Sequence, residues 1–75
     1  MNATAQNNLR SVALGIVDPC QAEYAEKNLE NWQSVSDYAS NACNIELTKA
    51  ECEKVLRACL AYLADTSGND MEHFI

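Results

Sequence analysis

The sequence predicts an all-α protein, a single-domain three-helix assembly built around a long antiparallel helix hairpin. Three observations point there. Thr48 followed three residues later by Glu51 is a capping box, and Cys52, Val55, Leu56, Cys59, Tyr62 and Leu63 then recur at helical spacing. Only two Gly and one Pro interrupt the chain, and its apolar residues are mostly Ala and Leu rather than β-branched, which favours helix. A hydrophobic fraction of 48% with 21% charged residues suits an ordered globular chain. Its 75 residues make one domain. A domain of this size buries roughly 60% of the surface of its unfolded chain, which leaves little room for an enclosed substrate pocket.

The first helix is expected over residues 3–14, capped by Asn2 or Thr4, with Ala5, Leu9, Val12, Ala13 and Ile16 along one face. Gly15 is placed to end it in a left-handed conformation. Asp18 then serves as an N-cap and Pro19 suits a first helical position, opening a second helix over residues 19–42. Ala22, Ala25, Leu29, Trp32, Ser36, Ala39 and Cys43 step by three and four, the narrow seam of a helix hairpin. Ser34, Ser36 and Asp37 are its weak spot, because their side chains compete for backbone groups. Residues 44–47 turn into the capped third helix, residues 48–65, and residues 66–75 read as a loop and tail.

Four cysteines in a short chain invite a disulfide framework or a zinc site, and their spacing argues against both. Cys52 and Cys59 lie seven apart on one helix, about 10 Å along its axis, whereas bridged α-carbons lie within about 7 Å. In the hairpin register Trp32 stands level with Cys59 and Ala39 with Cys52, which leaves Cys20 about 18 Å from Cys59. Only Cys43 with Cys52, near the turn, stays open as a bridge. With no C-x-x-C pair to seed a zinc site, Cys52 and Cys59 are read as small buried hydrophobes.

Other chemistry finds no footing. The one histidine, His73, falls in the expected tail without a second ligand or an orienting partner nearby in sequence. No glycine-rich phosphate loop, H-E-x-x-H or calcium-loop pattern occurs. No catalytic, cofactor-binding or metal-binding residue is therefore assigned, and the chain is expected not to be an enzyme. The apolar stretch from Ser11 to Val17 falls far short of the roughly 20 residues a membrane span needs. It also lacks the leader and cleavage site of a secretory signal, so a cytoplasmic location is expected.

Eleven acidic residues against five basic ones give a net charge of −6, which repels nucleic acid and anionic lipid and favours basic partners. On the expected second helix Glu23, Glu26, Glu30 and Asp37 fall within about 60° of one another at 100° per residue. They form an acidic ridge suited to a basic protein surface. At about 21 Å for four carboxylates the ridge is too sparse to imitate a DNA strand, with its phosphate every ~3.4 Å. A compact inhibitor that covers a basic site stays open. The alternative contact is the flank of Tyr24, Val35 and Tyr38, where two rings could act as anchors.

The functional expectation is a small acidic, non-catalytic protein that binds another protein as inhibitor or regulator. Phage and mobile-element inhibitors of basic, nucleic-acid-binding host proteins share this size and charge, although no motif ties the chain to such a family. The alternatives are a structural subunit that completes a larger helical complex, and a secreted, disulfide-stapled helical domain. Pairing into a homodimer would bury spare apolar surface and is also expected.

Overall fold

The computed structural model describes residues 3–17 and 31–75. Among them the chain forms three α-helices and no strand: α1 (Ala3–Ile16), α2 (Trp32–Ala42) and α3 (Lys49–Ala64). A short 3₁₀ turn, Met71–His73, follows. The all-α expectation holds. None of these helices is long and apolar enough to cross a membrane.

Leu9, Val12, Ala13 and Ile16 of α1 are buried along the expected face. The helix does not stop at Leu14. It runs through Ile16, the Val17 N–H still reaches the Ala13 carbonyl at 3.1 Å, and Gly15 lies inside it with no positive φ. Gly15 is needed for space. A Cβ at this position would collide with the Tyr38 hydroxyl, and the next ring atom lies only 3.2 Å away.

The second helix departs most from expectation. Asn31 is extended (φ −156°, ψ 168°), and its side-chain oxygen accepts the Ser34 N–H at 3.1 Å, so α2 begins at Trp32. A helix running unbroken through residues 19–42 is excluded. The break falls at Asn31, three residues before the Ser34–Asp37 cluster, because asparagine caps a helix better than it continues one. Residues 19–30, including Cys20, lie outside the described residues.

Eleven residues give α2 a length of about 16 Å. Its contacts with α3 do not follow the hairpin register that levels Trp32 with Cys59. Lys49 Nζ, at the start of α3, lies 5.7 Å from the Trp32 ring centroid. The Cys52 thiol points back at the Leu47 carbonyl, 4.0 Å away, just ahead of α3. Trp32 is half-buried against the edge of the core rather than central to it. Between the helices Asn44 takes a left-handed conformation (φ 55°), which returns the Ile45 N–H to the Ala39 carbonyl at 2.9 Å. Asparagine tolerates that region better than most residues.

α3 is the centre of the fold and packs on both other helices. Its capping box forms as expected: Thr48 Oγ1 accepts the Glu51 N–H at 3.2 Å, and Glu51 Oε1 accepts the Thr48 N–H at 3.0 Å. Cys52, Val55, Ala58 and Cys59 are its buried residues. Beyond Ala64 the chain turns back on the Asp65 carboxylate, which accepts the backbone N–H groups of Ser67 and Asn69, and on Gly68 at φ 78°.

The C-terminal residues are not a loose tail. Met71 and Ile75 are buried in the same core as α1 and α3. Phe74 meets Tyr62 edge-on at 6.2 Å, and Arg10 Nη2 donates to the Ile75 carbonyl at 2.9 Å.

Candidate functional site

The cysteines belong to the scaffold. Cys52 and Cys59 are fully buried, and the Cys59 thiol points at the Ala13 carbonyl at 3.7 Å. Burial pushes the Cys59 thiol up to about 12. It also raises Cys52, a shift opposed by the Ser36 hydrogen bond and reinforced by the charge of Glu51. Since the thiolate is the reactive form, both are poor nucleophiles. The three described cysteines, Cys43 among them, are free thiols. His73 is exposed, with its ring edge-on to Phe74 at 5.0 Å. Among the described residues no group of three or more His, Cys, Asp or Glu side chains could hold a metal ion.

Of the four ridge residues, Asp37 is described and exposed; Glu23, Glu26 and Glu30 lie outside the described residues. The extended backbone at Asn31 separates them from Asp37, so the 100° phase does not carry across and the four are not one helical face. Asp37 instead sits beside Trp32, Gln33 and Ser36 around a surface hollow of about 350 Å³. On the alternative flank Val35 is fully buried and is core, not contact surface. Tyr38 is half-buried and lies over Gly15, and Tyr24 is outside the described residues.

An apolar surface lies at the other end of α3, and of its exposed leucines sequence periodicity placed only Leu63 on the apolar stripe. Leu63 is 49% exposed, as is Leu60, and Leu14 of α1 is 48% exposed. Tyr62 links Leu14 and Leu63: it lines one cleft with Leu14 and a second with Leu63, and Asp70 borders both. Asp65 lies on the rim of the second cleft and Glu72 on the rim of the first. Hydrogen bonds from the Asn69 and Ser67 backbone hold the Asp65 carboxyl below its ordinary range.

The signal for this surface was present but incomplete. Leu63 is eleven residues after Cys52 and therefore only about 20° from it in helical phase, yet some 16 Å further along the axis. Cys52 is fully buried; Leu63, on nearly the same line of α3, is left half-exposed. Phase alone does not report how far a neighbour reaches.

Comparison of the chain with protein-family models, with curated proteins and with solved structures found no match.

Proposed function

We propose that this chain is a small non-catalytic protein of the cytoplasm that acts by binding another protein with a basic surface, as an inhibitor or regulator. The observation that carries the reading is charge and its placement. The chain has a net charge of −6, and every described carboxylate is at least partly exposed, so none is held inside the fold as a buried ion pair. Such a surface repels nucleic acid and anionic lipid and accelerates encounter with cationic protein. Covering a basic site on a nucleic-acid-binding protein is the mode of inhibition that fits this size and sign. The poor nucleophilicity of Cys52 and Cys59 favours a binding role over a thiol-dependent reaction.

The test is capture from a cell extract by the immobilised protein, with Glu23, Glu26, Glu30 and Asp37 neutralised as Gln and Asn in a parallel sample. A basic protein retained by wild type at low salt, and released by salt or by the fourfold change, supports the reading. Retention that ignores both salt and the substitutions removes its basis.

One observation favours a second reading, a subunit of a larger helical assembly. Leu14, Leu60 and Leu63 leave apolar surface uncovered. A subunit of that kind would be poorly stable alone or would self-associate, which sedimentation across a concentration series would show.

A further inference from the structure

The two clefts that meet at Tyr62 combine features that the overall charge does not by itself provide. Their volumes, about 280 and 230 Å³, lie below the roughly 300–1,000 Å³ of small-molecule pockets and suit one or two side chains each. Their apolar lining comes from Leu14, Tyr62, Leu63 and Met71, with Leu60 one turn before Leu63 on the same helix. Their rim carries three carboxylates, Asp65, Asp70 and Glu72, against one cation, Arg10. That guanidinium is already engaged, by Asn7 Oδ1 at 3.2 Å and by the Ile75 carbonyl at 2.9 Å.

We infer that the Leu14–Tyr62–Leu63 surface is a docking site for a basic amphipathic helix of a partner protein, its apolar side chains entering the two clefts and its lysines or arginines facing the acidic rim. The inference rests on the proposed function and names the surface and the partner element. A helix that presents apolar residues at i, i+3 or i+4 and i+7 matches paired clefts on one face. Charge selects between occupants. A second copy docked through the same patch would set two acidic rims into one interface, six carboxylates from Asp65, Asp70 and Glu72 against two Arg10 guanidinium groups, because a two-fold interface pairs the patch with itself. Like charges in contact suppress that pairing, whereas a cationic helix removes the repulsion.

The probe is a fluorescein-labelled Leu/Lys peptide of about 18 residues patterned to form one apolar face. A peptide of the same composition in scrambled order is its control. The wild-type chain is expected to bind the patterned peptide at least about tenfold more tightly than the scrambled one. Changing Leu14→Ser with Leu63→Ser should erase that preference while leaving the far-ultraviolet circular dichroism unchanged, since both side chains are half-exposed. Leu63→Ser alone should give a partial loss, and Asp70→Asn with Glu72→Gln should weaken binding and flatten its salt dependence. Undiminished preference for the patterned peptide in the double leucine variant would overturn the docking site. If neutralising Glu23, Glu26, Glu30 and Asp37 then abolished binding, the proposed function would stand and this surface would not be its seat. Failure of wild type to bind either peptide would overturn the docking site, and the capture experiment would decide the proposed function separately. A concentration-dependent dimer abolished by the leucine changes would assign the patch to a second copy and overturn the partner-helix inference.

Discussion

Gly15 is a position where one carbon atom should disturb the packing of two helices. In a solvated helix Gly→Ala stabilises by about 1 kcal/mol. Here the added Cβ meets the Tyr38 ring and hydroxyl, so Gly15→Ala is expected to destabilise by about 1–3 kcal/mol, measured by urea unfolding. Tyr38→Phe should relieve part of that cost, since ring carbons still lie 3.2 and 3.3 Å from the new atom. Cys59 gives a second residue-level test. Its thiol ionises near 12 when folded against an ordinary 9.0, so the folded state holds the proton more tightly. This contribution is fully present below pH 9.0 and is lost as pH rises through about 12. Wild type should therefore lose stability above pH 9 more steeply than Cys59→Ala, although the variant starts lower because of its cavity. Parallel slopes for the two proteins would show that Cys59 ionises in the fold as it does in solution.

At the scale of elements, Asn31 decides between two secondary structures, and one substitution separates them by sign. As the N-cap of α2, Asn31→Ala should cost about 1 kcal/mol. Inside an unbroken helix the same change would stabilise by a few tenths of a kcal/mol. Thermal unfolding of the variant reads the difference. The C-terminal segment offers a larger effect. Met71 is buried against α1 and α3, so Met71→Ala should cost about 2–5 kcal/mol by denaturant unfolding. That is a large share of the roughly 4–11 kcal/mol expected of a domain this size. The elements differ in how visible they were beforehand. The Thr48–Glu51 box was legible because its partners lie three residues apart and need nothing else. The break at Asn31 was masked by an apolar seam that keeps helical spacing across it. The docking of Met71 and Ile75 has no periodic signature, because it depends on the Asp65 turn and on a groove formed by other helices.

For the whole molecule, the all-α class and the buried roles of Leu9, Val12, Cys52 and Cys59 followed from helical phase alone. The candidate site did not. Leu63 shares its phase with Cys52 yet is half-exposed, because phase carries no information on which neighbours cover a given turn. Asp37 was joined to Glu23, Glu26 and Glu30 by a helical phase that Asn31 interrupts. Charge needs no such geometry, and it carries the central claim that this chain meets a basic partner through electrostatic attraction. The most direct measurement is the association rate of wild type with the captured partner at about 50 and 200 mM salt, a range over which the screening length shortens substantially. The rate is expected to fall by about tenfold or more across that range, and the variant neutralised at Glu23, Glu26, Glu30 and Asp37 should start slower and respond less. An association rate unchanged by salt and equal in the two proteins would contradict the claim.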